Sequence, residues 1–105
     1  MTSSSNILLT NTNYFQWKYH MEDLLRSKGM YQITLRKEKE PANDEKKVKW
    51  DNRNDETCGL IGMSISPDLR FHLQEIDDPD EAWEKIESVF AKHNSFFFMS
   101  GRINN

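Results

Sequence analysis

Large apolar residues recur at three- and four-residue steps along most of the chain, and no stretch alternates apolar with polar as a half-buried strand would. Tyr14, Trp17, Met21, Leu24, Leu25 and Lys28 share one helical face, which predicts a first helix. Asn13 is its expected N-cap, with Gln16 at the capping-box position, and Gly29 is the residue expected to end it. Ahead of it, Ile7-Leu8-Leu9 forms a short apolar knot before the capping types Asn11-Thr12-Asn13, and residues 1–6 are expected to be disordered. Met30, Ile33 and Leu35 fit either a single helical turn or an extended linker. The run from Arg36 to Lys47, with Pro41 inside it, reads as a solvated charged connection leading into a helix start.

A second long helix is expected to begin near Asn43 or Asp44, where Asp44 and Glu45 complement the positive end of the helix dipole. Trp50, Thr57, Cys58, Ile61 and Ile65 mark its inner face, with Asn54 filling the gap between positions 50 and 57. Gly59 and Gly62 each cost about 1 kcal/mol against alanine inside a helix. Close approach of a neighbouring helix would offset that cost, and a break near Gly62 is the rival reading. Ser66-Pro67 reads as a helix restart, carrying Leu69, Leu73 and Ile76 on a short amphipathic helix with Phe71 off the stripe. Asp78, Pro79 and Glu81 repeat the device as cap, first residue and capping-box partner. The last helix then carries Ala82, Trp83, Ile86, Val89, Phe90 and His93. The predicted class is all-α, a small irregular bundle of about four helices, with Trp17, Trp50 and Trp83 meeting in one core or one of them anchoring an interface.

Composition alters this picture in two respects. Apolar residues make up 36% of the 105 positions, low for a globular domain, although three Trp, six Phe, three Tyr and five Met are large enough to build a core. Marginal stability as an isolated monomer follows, and a partner surface would relieve it. The net charge of −3 argues against a nucleic-acid binder, which needs a clustered basic face; the counter-reading rests on Lys18, Arg26, Lys28, Arg36, Lys37 and Lys39 in the first third. A Ser-rich start without a basic, apolar signal region, and no run long enough for a membrane span, predict an intracellular, cytoplasmic protein.

The chemical inventory is thin. His20, His72 and His93 fall on separate elements with no i, i+4 ligand pairing, and Asp77, Asp78, Asp80 and Glu81 lack the alternation and central glycine of a calcium loop. The one cysteine, Cys58, excludes an intrachain disulfide and a Cys-based zinc site; on a buried helix face it packs as a small apolar group. Four scattered glycines match no phosphate loop. The expectation is a non-enzyme with neither metal nor cofactor.

Together the landmarks resemble the N-terminal portion of copia-type retrotransposon Gag polyproteins, particularly those of plant elements. They are Ile7-Leu8-Leu9, then Asn13-Tyr14-Phe15-Gln16-Trp17 with Met21 and Leu24-Leu25, then Trp50-Asp51, Gly59 to Ser66, and Asp80-Glu81-Ala82-Trp83 through Ile86 to Val89-Phe90-Ala91-Lys92-His93-Asn94. The resemblance spans residues 7–94. It implies a helical, capsid-like, self-associating module, with Tyr14, Trp17, Met21, Leu24, Trp50, Ile61, Trp83, Ile86 and Phe90 as core or interface positions and RNA reached only indirectly. The family's zinc knuckle is absent here. After Asn94 the sequence departs from the family: Phe96, Phe97, Phe98 and Met99 stand where a charged helix is expected, so residues 95–105 read as a divergent apolar tail, as in a truncated copy. That tail is expected either to fold back over the bundle or to form an association-prone patch. A remnant with no retained activity is the remaining alternative.

Overall fold

A computed structural model of the chain describes residues 7–35 and 38–103, with side chains described through residue 92. The expected disorder of residues 1–6 lies outside the described residues. The chain is all-α: α1 (Tyr14–Ser27), a single turn α2 (Tyr31–Thr34), α3 (Asp44–Met63), a 3-10 helix η1 (Pro67–Leu73) and α4 (Pro79–Ile103). Among the described residues the only β-type pairing is an isolated parallel bridge between Leu9 and Ile65.

Each boundary has a local cause. Asn13 precedes α1, but the expected capping box does not form. The Asn13 carboxamide instead turns back on the preceding turn, accepting from the Thr10 amide at 2.7 Å and donating to the Leu8 carbonyl at 2.9 Å. Gly29 ends α1 with φ of +72°, a left-handed value that glycine adopts without strain. Of the two readings for residues 30–35, the single turn is the one that forms, and Thr34 Oγ1 donates back to the Met30 carbonyl. Asn43 caps α3 by accepting from the Lys46 amide at 3.0 Å, with Asp44 and Glu45 in the first turn.

The segment after Pro67 differs from expectation. It is a 3-10 helix, and the Ser66 side chain makes no cap bond. Only Leu69 is buried, Leu73 and Ile76 are half-buried, and the chain turns at Glu75 with φ of 64°. Seven residues between two tight turns are too few to settle an α-helix, and 3-10 geometry is the usual form of such connectors. The long final helix starts at Pro79, where the missing proline N–H leaves nothing unsatisfied. It continues without a break past Asn94 to Ile103, so the backbone carries no boundary at Asn94. The side chains of residues 93–103, and with them the question of a folded-back tail, lie outside the described residues.

The core joins all five helical elements with the N-terminal segment. Leu9, Tyr14, Trp17, Met21, Leu25, Met30, Ile33, Ile61, Ile65, Leu69, Ala82, Trp83, Ile86 and Phe90 are buried together. Thr57 and Asn54 join them on the inner side of α3. The two helix glycines do not share one explanation. A Cβ on Gly62 would lie 3.0 Å from the Arg70 guanidinium of η1, whereas one on Gly59 would meet nothing within 4 Å. Close approach therefore accounts for Gly62 only, through a side chain of the 3-10 helix, and α3 does not break there but ends one residue later.

Candidate functional site

Of the nine residues singled out as core or interface positions, seven are buried: Tyr14, Trp17, Met21, Ile61, Trp83, Ile86 and Phe90. Leu24 and Trp50 are half-buried at the edge of the same cluster. The three tryptophans do not meet as a trio. Trp17 and Trp83 stack with ring centroids 5.3 Å apart, and Tyr14 follows at 6.1 Å from Trp17. Trp50 stands off on the far part of α3, because its stripe faces the connection at residues 38–40 and the start of α4 rather than α1.

Ser64 is the polar hub of the buried centre. Its carbonyl accepts from the Leu9 amide at 2.8 Å and from Trp17 Nε1 at 3.1 Å. Its hydroxyl also takes Trp17 Nε1 at 3.1 Å and donates to the Ile61 carbonyl at 2.6 Å. The Ser66 amide returns to the Leu9 carbonyl at 3.1 Å. A strap of residues 7–10 is thereby fastened to the end of α3, and Leu9 is driven fully into the core. Sequence reasoning passed over Ser64, which lay in an apolar stretch as one small hydroxyl with no periodic signal.

Beside this hub lies an apolar groove of about 310 Å³, lined by Ile7, Leu8, His20, Met21, Leu24, Leu60, Met63 and Ser64. Its walls are the strap, α1 and the last turns of α3. Leu8 is 44% exposed and Met63 68% exposed, so the rim presents apolar surface to solvent. The periodicity of α1 placed Met21 and Leu24 on its inner face. Leu60 and Met63 escaped notice because they fall off the α3 stripe that Ile61 marks.

A second, polar recess lies between α3 and the start of α4, lined among others by Glu38, Asp51, Asn54, Asp78 and Asp80 beside Trp50. Much of it is internally satisfied. Arg53 pairs bidentately with Glu38 at 2.6 and 2.9 Å and donates to the Gly29 carbonyl at 2.7 Å. That fork holds the guanidinium above its ordinary pKa. Lys47 bridges Glu40 at 3.3 Å and Asp51 at 3.2 Å. Asn54 donates to the Asp77 carbonyl at 3.2 Å and the Asp78 carboxylate at 3.4 Å, and Cys58 Sγ reaches the same Asp77 carbonyl at 3.0 Å. Burial, with Asp78, Asp55, Asp77 and Asp80 adding to it, pushes the Cys58 thiol up to about 11, so it is protonated at neutral pH. The face of α3 expected to bury Cys58 leaves it half-buried.

The remaining candidates are dispersed. Among the described residues no group of three or more His, Cys, Asp or Glu side chains is placed to hold a metal ion, and no helix is long and apolar enough to cross a membrane. His72 lies against Phe71 and Phe90 at ring-centroid distances of 4.1 and 5.5 Å, while His20 lines the apolar groove. The basic residues of the first third are partly occupied: Arg26 lies 3.6 Å from Asp23 and 4.1 Å over the Tyr31 ring. Arg36 and Lys37 lie outside the described residues. Comparison with family models, curated proteins and solved structures finds no match to this chain.

Proposed function

We propose that this protein is a structural, self-associating module of the kind found at the N-terminus of copia-type Gag proteins, acting through protein contacts rather than through a reaction. The observation that carries this reading is the apolar groove between α1, α3 and the N-terminal strap, with Leu8 and Met63 exposed at its rim. Contiguous apolar surface left open to solvent marks contact sites. The ordered Tyr14-x-x-Trp17 and Ala82-Trp83 landmarks fall on core positions of one helical scaffold, which is the use the resemblance implies for them.

Sedimentation velocity across a concentration series tests the reading. The expected result is a concentration-dependent shift from monomer to a larger species, with helical circular dichroism unchanged. A monomer that stays folded at the highest concentration would contradict it. Salt gives a second readout: contacts made through apolar surface persist at high ionic strength, whereas binding to nucleic acid falls steeply.

A further inference from the structure

Asn13 stands at the joint between the strap of residues 7–10 and α1, and its carboxamide has two uses that exclude each other. In the structure it closes the turn, accepting from the Thr10 amide at 2.7 Å and donating to the Leu8 carbonyl at 2.9 Å. Its backbone lies at φ −121° and ψ 25°, and its side chain makes no cap bond to α1. An N-cap asparagine instead has extended backbone, and its side-chain oxygen accepts from an amide two or three residues on. Here those amides belong to Phe15 and Gln16. Turning ψ of Asn13 to the extended value gives α1 its missing cap and swings residues 7–12 away from Ser64. Alone, that open arrangement is unfavourable. It empties the slot that encloses Leu9, and it takes the Leu9 carbonyl from the Ser66 amide and the Leu9 amide from the Ser64 carbonyl. The strap of a second copy restores each of these contacts, because they depend on Leu9 and its backbone and not on which chain supplies them.

We infer that two copies exchange their straps, residues 7–10 of each seating beside Ser64 and Ser66 of the other while each freed Asn13 caps its own α1. The exchange is reciprocal, so it closes a two-fold pair. The apolar groove of each copy is then walled by Ile7 and Leu8 of the other. Leu9 is enclosed in the single chain and in the pair alike, so straps exchange as chains fold and not between folded monomers. The inference rests on the self-association proposed above and adds the segment that makes the contact.

The test refolds the full chain from urea at high concentration, as an equal mixture of 15N-labelled and unlabelled protein, and follows association by sedimentation. The Leu9 amide and the Trp17 indole N–H donate to the same Ser64 carbonyl, which puts the two protons within range of a nuclear Overhauser effect. The expected result is a dimer with a cross-peak joining a 15N-bound proton of this pair to a 14N-bound one. Asn13→Asp keeps a capping oxygen and loses the donor to Leu8, so it is expected to raise the association constant more than about five-fold. A dimer whose cross-peak joins only like-labelled protons, or an Asn13→Asp association constant that is unchanged or lower, overturns the exchange while the broader reading stands. A starting chain that remains monomeric overturns both.

Discussion

Trp17 and Trp50 carry the same sequence signal, a tryptophan on the apolar stripe of a long helix, yet the molecule treats them oppositely. Trp17 is fully enclosed, stacked on Trp83, with its indole N–H shared between the carbonyl and hydroxyl of Ser64. Trp50 is half-buried, and its indole nitrogen is enclosed without a hydrogen-bond partner among the described residues. Burying a donor is favourable only where an acceptor comes with it; an orphaned one costs about 1–3 kcal/mol. The difference teaches that helical periodicity shows which way a side chain points, while the element waiting opposite decides whether it is a keystone or a cover. The centre of this fold therefore lies at the α1–α4 crossing and the strap, and the Trp50 end of α3 is a secondary edge.

Substituting the two tryptophans sharpens the contrast, and the largest effect is expected there. Trp17→Ala should destabilise the protein by about 3–5 kcal/mol, read as a lower urea midpoint, since it removes a large core side chain and strands Ser64. Trp50→Phe, which deletes an N–H that has no acceptor, should fall within about 1 kcal/mol of the starting chain. Comparable losses at both sites would erase the distinction.

The all-α class, the extent of α1, the start of α3, the Gly29 stop and the Pro79 start were all legible in the sequence, because each rests on local chemistry: a 3.6-residue period, a capping side chain or a backbone only glycine or proline favours. Ile65, by contrast, fits the period of α3 but lies two residues past its end at Met63, bridged to Leu9. What was not legible depends on pairs far apart in the chain. Nothing local to Leu9 or Ser64 signals that their backbones bond across 55 positions, and nothing local to Asn54 signals that it ties α3 to the Asp77 carbonyl. The groove was half visible. Met21 and Leu24 stood out by period, but Leu60 and Met63 lie off the main stripe and become wall residues only once the strap is in place.

A smaller effect is expected at the clasp that holds the start of α4 to α3. The Cys58 thiol is raised from its ordinary value near 9 to about 11 on folding. Its neutral form is therefore favoured by the fold, and that contribution is complete below pH 9 and lost as pH rises from about 9 towards 11. Alkylation of Cys58 should run well below the rate of an unfolded control at pH 8 to 9 and approach it near pH 11, whereas matching rates throughout would mean an open, unperturbed thiol. The smallest effect separates the helix glycines. Gly59→Ala should stabilise by about 0.5–1 kcal/mol, since an exposed helix interior gains propensity and the new methyl meets nothing. Gly62→Ala should gain less, because the Arg70 guanidinium must move first.

The central claim is that the segment around Leu9 belongs to the core, fixed through Ser64 beside the enclosed Trp17. Native-state hydrogen exchange followed by NMR tests it most directly, at the Leu9 and Ser66 amides and the Trp17 indole. Bonded to Ser64 or, for the Ser66 amide, to the Leu9 carbonyl, these three protons should exchange only with global unfolding, together with the central amides of α1 and α3. Exchange of the Leu9 and Ser66 amides at the rate of an unstructured peptide, while α1 and α3 stay protected, would contradict the account.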